Sequence, residues 1–284
     1  MTINWIERVE SIKTNNKKIK GKMSYAVNKP LLLLYLIGKL INSGKSDSKY
    51  SEVEHDLGEI LQNFGNKKNT LDPFFRLRAD GLFVVKEIDM SKFSSPQDKG
   101  YSQFLKSRNP VGYLERDFEK YLKLGNNLQI IVGLLLSKYF QYSIHNDVLS
   151  DVKLHVNPIL PEKNMLDAKR DRLFAKTILE KYDSKCLFCG YFGSISGRNV
   201  GMEAAHIVMH SRGGSNTADN GLSLCSLCHR LFDRGVISLD PDCKIIISKF
   251  YSGKLTYITN KPILKGNSTI KENIRWHRQE IFNG

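Results

Sequence analysis

What the 284-residue chain lacks narrows it first. No apolar run reaches the roughly 20 residues needed to cross a bilayer. The longest, LLLLYLIGKLI from Leu31 and LQIIVGLLL from Leu128, fall short. No apolar core with a cleavage site follows Met1, where polar residues lead to Trp5. A signal peptide is therefore not expected, and a cytoplasmic location is. Internal repeats and low-complexity segments are missing too. Cysteine is scarce: four of the five fall in two C-x-x-C pairs. In a chain without an export signal, such pairs favour zinc over disulfides.

Carboxylates are in deficit. There are 43 Lys and Arg against 29 Asp and Glu, a net charge of +14. Residues 1–150 hold 23 cations and 16 acids, so each half carries +7. A basic surface spread over both halves draws polyanions through long-range attraction and counterion release, and nucleic acid is the expected partner. Hydrophobic content of 41% and charged content of 25% suit two globular domains.

Along the chain, residues 11–29 contain six lysines and no acid, a solvated loop or a phosphate-contacting arm. Asn28-Lys29-Pro30 introduces a buried helix, with proline in its first turn. In DPFFRLRADGLFVVKEI, two apolar segments flank Ala79-Asp80-Gly81, which predicts a β-hairpin. Residues 128–140 predict a second apolar helix. A polar stretch from about 141, with Pro158 and Pro161, predicts a linker, and residues 167–182 an amphipathic helix leading to Cys186. The fold class expected is α+β. A helical domain with a β-hairpin spans 1–150, a linker 151–166, and a zinc-stapled domain 167–284.

The second half carries the chemistry. Cys186, Cys189, Cys225 and Cys228 can close a tetrahedral site, which leaves His229 free for other work. Between the pairs lie His206 and Asn220, 14 residues apart; His229 follows Asn220 by 9 and Asp233 follows His229 by 4. On a helix over 224–233, His229 and Asp233 share a face and can reach one cation. Arg212-Gly213-Gly214 lets the intervening loop turn back. Cys243, in the turn DPDC, is expected to be unliganded, and His210 is assigned to the loop.

These residues resemble the HNH endonucleases, of the ββα-metal fold. The family's motif residues fall on His206, Asn220 and His229, and its zinc-binding cysteines on Cys186, Cys189, Cys225 and Cys228. The resemblance implies phosphodiester hydrolysis. Neutral His206 would serve as general base, and Asn220 would hold the loop that carries it. A divalent cation (Mg²⁺, Mn²⁺ or Ni²⁺) at His229 and Asp233 would act as Lewis acid. Products would carry 5′-phosphate and 3′-hydroxyl ends. Many members place Asp or His directly before the base; here Ala205 stands there, and Glu203 or a phosphate oxygen could complete the shell.

NKPLLLLYLIGKL, DPFFRLRADGLF and GLLLSKYFQYSIHNDVL resemble the sulfur-binding domain of restriction endonucleases that depend on phosphorothioated DNA, and NIRWHRQEIF resembles the tail of that group. The resemblance implies a shallow apolar pocket that gains from burying weakly hydrated sulfur. DNA-contacting positions would be Asn28, Lys29, Pro73, Arg76 and Arg78, with Arg212 in the second domain. Asn28 and Asp72 depart from the family's His and Tyr, and Asp72 needs a cation such as Arg76 or Arg78 beside it. The expectation is a restriction enzyme acting on modified double-stranded DNA, with a homodimer supplying two cuts. The alternatives are a nuclease that reads modified cytosine or an unmodified site, and a non-catalytic DNA-binding module stabilised by zinc.

Overall fold

The computed structural model describes residues 4–14, 17–19, 22–24, 26–64, 69–86, 89–90, 92–162, 165–255, 258 and 263–284. Part of the lysine-rich segment 11–29 lies outside them. The chain divides into two compact units: Met1–Asn16 with Tyr25–Pro161, and Lys17–Ser24 with Glu162–Gly284. Helices and sheets are mixed. Among the described residues, no helix is long and apolar enough to cross a membrane.

The first unit is built around helix Asn28–Ser43. Leu31 to Leu34, Leu36 and Ile37 are all fully buried, so the helix is wrapped on every side. Helices Tyr50–Asn63 and Asn127–Tyr139 pack on it. A three-stranded antiparallel sheet runs in the order Ser48–Lys49, Val111–Leu114, Phe83–Val85.

The predicted β-hairpin over DPFFRLRADGLF is not there. Leu71–Arg76 is an α-helix and Leu77–Asp80 a 3₁₀ turn; only Phe83–Val85 is a strand, and it pairs with Val111–Leu114. Pro73 sits in the first helical turn, where a missing amide hydrogen costs nothing. The Arg76 Nε donates to Asp72 Oδ1 at 2.7 Å across one turn. Leu71, Phe74 and Phe75 follow helical spacing, and Phe74 is clamped edge-on between Tyr50 and Phe83, both at 5.1 Å. The expected linker is partly folded as well. Residues His145–Asp151 are helical, and Val148, Leu149, Val152 and Leu154 join the first unit's core.

The second unit centres on an antiparallel pair, Met202–His206 with Gly221–Cys225, followed by helix Ser226–Asp233. Helix Met165–Lys181 lies against both strands, close enough that a Cβ on Gly221 would meet Ile178 Cδ1 at 2.2 Å. Only glycine permits that approach. The terminal helix Ser268–Glu280 packs on strand Ile237–Leu239, where His277 meets Ser238, while Trp276 clusters with Val208 and Met209; both side chains are 2% exposed.

His277 is a core residue. It stacks on Phe232 at 3.7 Å, meets Ser238 Oγ through Nδ1 at 2.9 Å, and donates from Nε2 to the Phe232 carbonyl at 3.1 Å. Burial pushes its pKa down to about 4. An unfolded histidine titrates near 6.5, so between those values the unfolded chain binds the extra proton. Stability from this residue is therefore complete above about pH 6.5 and lost as pH falls towards 4, by roughly 3 kcal/mol. Thermal unfolding of the full chain from pH 7 to 4 should show this drop, and His277→Gln should flatten it relative to wild type; parallel pH profiles would show that His277 does not titrate this way.

Candidate nuclease site

The strand pairing runs from Met202 opposite Cys225 to His206 opposite Gly221. His206 thus ends the first strand, and Asn220, fully buried, immediately precedes the second. The Asn220 amide holds the loop between them. Its Oδ1 accepts the Val208 amide at 2.9 Å, and its Nδ2 donates to the carbonyls of Val208 and Ser215, each at 2.9 Å. Asn220 touches backbone at all three points and leaves nothing free for proton transfer.

His206 is fixed on two sides. Phe174, from helix Met165–Lys181, stacks on its ring at 3.9 Å and 11°. Its Nε2 lies 2.8 Å from Asn216 Oδ1. An amide oxygen only accepts, so Nε2 carries the proton and the Nδ1 lone pair is left available. Burial lowers the His206 pKa, while Asn216 and the charges of Asp171 and Asp233 act in the opposite direction. The net result is an imidazole that is neutral at pH 7. Sequence reasoning missed Asn216 and Phe174. Asn216 is one of several polar residues in GGSNTADN, and Phe174 is one apolar position of an amphipathic helix; neither carries a distinguishing signal.

Helix Ser226–Asp233 supplies the other group. His229 Nε2 is 3.1 Å from Asp233 Oδ2, and His229 Nδ1 is 2.7 Å from Glu203 Oε2. Ser226 Oγ donates to Glu203 Oε1 at 2.6 Å. Burial disfavours a charged His229, but the Asp233 and Glu203 carboxylates outweigh it and hold the group up at about 10. The hydrogen bond from His229 holds the Glu203 carboxyl below its usual range. The pair fits a cation. Two ligand atoms each about 2.1 Å from a metal in adjacent positions stand about 3 Å apart, close to the separation seen. Glu203 would then orient the imidazole from its far nitrogen, as carboxylates commonly do beside metal-bound histidine.

Among the described residues, the one group of three or more His, Cys, Asp or Glu placed to hold a metal is Cys186, Cys189, Cys225 and Cys228. Their Sγ atoms all lie within 4.8 Å of one another, and Cys189 and Cys225 are 3.7 Å apart. Four thiolates at about 2.3 Å from zinc would stand about 3.8 Å apart. Without a cation the thiols cannot all ionise: the hydrogen bond from Cys228 holds Cys186 low and pushes Cys228 up. Cys243 is buried and outside this cluster.

The expected DNA contacts fare differently. Arg212 is 2% exposed, turned inward by the 3₁₀ turn His210–Arg212, with its guanidinium 5.8 Å from the Trp276 ring centre. It is a core cation, not a surface one. Lys29 is also buried. Its Nζ donates to Asp80 Oδ2 at 2.6 Å and to the Lys13 carbonyl at 2.7 Å, which ties three segments together. Asn28 and the helix starting at Leu71 do meet: Asn28 Nδ2 donates to the Asn69 carbonyl at 3.3 Å, and Asn69 Oδ1 accepts the Asp72 amide at 3.3 Å. Pro73 is buried beneath them. Asp72 is paired with Arg76, and Arg78 lies over the Phe75 ring at 4.8 Å.

The family described as "ScoMcrA-like, DNA sulfur-binding domain" matches residues 3–157, and the family described as "HNH endonuclease" matches residues 186–240. Among solved structures, the sulfur binding domain of SprMcrA complexed with phosphorothioated DNA is 18% identical with a TM-score of 0.45, covering 53% of this chain and 93% of that one. The structure of the Type IV phosphorothioation-dependent restriction endonuclease ScoMcrA is 18% identical with a TM-score of 0.42, covering 54% and 33%. The modification dependent TagI restriction endonuclease is 22% identical with a TM-score of 0.31, covering 38% and 37%. No curated protein matches the chain.

Lys29→Ala would leave the Asp80 carboxylate without its cation in a buried site, holding only the Lys13 amide, at a cost of about 3 kcal/mol. Its unfolding midpoint should fall accordingly. An unchanged midpoint with weakened DNA binding would return Lys29 to the DNA surface.

Proposed function

The chain belongs to the ScoMcrA-like DNA sulfur-binding family, and on that premise we propose a metal-dependent DNA endonuclease whose first unit selects phosphorothioated DNA and whose second unit hydrolyses the backbone. One observation carries the reading. Within the segment that matches HNH endonucleases, a histidine oriented by Phe174 and Asn216 ends one strand of a pair, and a His229–Asp233 pair sits on the helix that follows.

His206 takes a proton from the attacking water at Nδ1, since Asn216 occupies Nε2. The water oxygen bonds to phosphorus as the bond to the 3′ oxygen breaks, and the departing oxygen takes a proton from solvent, which leaves 5′-phosphate and 3′-hydroxyl ends. Asn220 keeps the base in place through the loop. A divalent cation (Mg²⁺, Mn²⁺ or Ni²⁺) held by His229 and Asp233 would offset charge building on the phosphate oxygens. Zinc at the four cysteines would brace the start of the helix that bears His229. In the first unit, Asn28, Arg76 and Arg78 are the candidates for DNA contact, while Pro73, which is buried, would shape the helix that carries Arg76. The Asp72–Arg76 pair removes the repulsion a lone carboxylate would offer a backbone phosphate. One such site cuts one strand, so a homodimer would supply the second cut.

Plasmid carrying phosphorothioate linkages should be cut in Mg²⁺, Mn²⁺ or Ni²⁺ faster than unmodified or cytosine-methylated plasmid, and His206→Ala should abolish cutting. Equal cutting of all three substrates would remove the sulfur dependence; undiminished cutting by His206→Ala would remove the base. The pH–rate profile adds a second check. Because burial lowers His206, the acid limb should have its midpoint below 6.5; a midpoint above 7 would place the proton acceptor elsewhere.

A further inference from the structure

Between the two cysteine pairs the second unit carries a feature the hydrolysis does not use. Strands Ser194–Ile195 and Arg198–Asn199 form a hairpin of two residues a side. Ser196 and Gly197 both have positive φ, 50° and 78°, the tight turn whose twist matches paired strands. Alone, so short a hairpin has no core and little stability. Here its root is tied down. Tyr191 Oη donates to the Val200 carbonyl at 3.2 Å, the Val200 amide donates to Gly193 at 2.9 Å, and the Cys186 amide donates to Tyr191 at 2.8 Å. Asn199 Nδ2 donates to Ser184 Oγ at 2.9 Å.

Two large apolar side chains of this anchored finger meet solvent among polar ones. Phe192 is 70% exposed and Ile195 69%, and all four strand residues are exposed. Exposed large apolar side chains on an anchored hairpin, with a cation beside one of them, suit a docking surface: Ile195 stands directly across the pair from Arg198. Charge identifies the occupant. Arg198 is exposed directly opposite Ile195, and within the hairpin and its root, residues 190–201, it is the one charged side chain; Lys185 and Asp183 flank the root. An exposed apolar side chain beside a cation matches a duplex, whose base edges lie between two rows of phosphates. A two-stranded ribbon fits a groove, and Phe and Ile are side chains that wedge between base steps.

We propose that the Ser194–Asn199 hairpin, with Phe192 at its root, is a DNA-inserting finger: Phe192 and Ile195 unstack a base step while Arg198 and Lys185 hold the flanking phosphates, positioning the duplex for cleavage. This rests on the nuclease reading and adds residues that neither the HNH motif nor the sulfur-binding unit contains.

The test uses the full chain in a His206→Ala background, so the duplex stays intact, with phosphorothioated duplexes carrying 2-aminopurine at successive positions. Binding should raise 2-aminopurine fluorescence at one base step. Phe192→Ala with Ile195→Ser should abolish the rise and weaken binding about tenfold or more. A melting temperature equal to that of the parent confirms that the variant is folded, and Phe192→Ala alone serves should the double variant fail this check. A rise that persists in the folded variant overturns the finger while leaving the nuclease intact. Loss of self-association in the variant, with DNA binding unchanged, makes the hairpin a contact between copies and also overturns it. If the wild-type chain neither binds nor cuts any DNA, the nuclease reading fails, and the finger with it.

Discussion

The register between Met202–His206 and Gly221–Cys225 is the constraint on which the nuclease unit depends. It sets His206 opposite Gly221 and Met202 opposite Cys225. A slip of one residue would turn every side chain of the strand to the other face, separating Glu203 from His229 and His206 from Phe174. Two devices hold the register. At one end, Asn220 bonds the backbone of Val208 and Ser215; at the other, the Ser226 amide donates to the Gly201 carbonyl at 3.0 Å, beside the cysteine cluster. Gly221 then lets helix Met165–Lys181 close on the strands and bring Phe174 to His206.

Histidine serves opposite purposes within this one unit. His206 and His277 are pushed towards neutrality by burial, each stacked on a phenylalanine and hydrogen-bonded by neutral groups. His229 is buried too, yet two carboxylates outweigh the desolvation and favour positive charge. That same carboxylate-rich setting suits a divalent cation. The partners, rather than burial, separate an imidazole held neutral from one held charged.

Much of the second unit's arrangement was legible because its polar residues stand at fixed offsets: cysteine pairs, then His206, Asn220, His229 and Asp233. Local spacing predicted that His229 and Asp233 share a helical face, and they are in contact. Asn216, Phe174 and the role of Glu203 were harder to read, since each acts through a tertiary contact that no spacing announces. The first unit was less legible. The apolar segments around Asp80-Gly81 fit strand and helix alike over so few residues, and Asp72, Pro73 and Arg76 decided for helix. Arg212 and Lys29 looked like surface cations by type; burial against Trp276 and pairing with Asp80 reassign them to the core.

If the register and its clamp place the base, loosening the clamp should cost rate without removing any catalytic group. Single-turnover nicking by Asn220→Ala, at a temperature where circular dichroism shows it folded, is the most direct test. A displacement of the base by about 1 Å is enough to lose roughly a hundredfold, and a fall of that order is the predicted result. A folded Asn220→Ala that nicks at the wild-type rate would contradict the account, because His206 would then be positioned by something other than the Asn220 clamp.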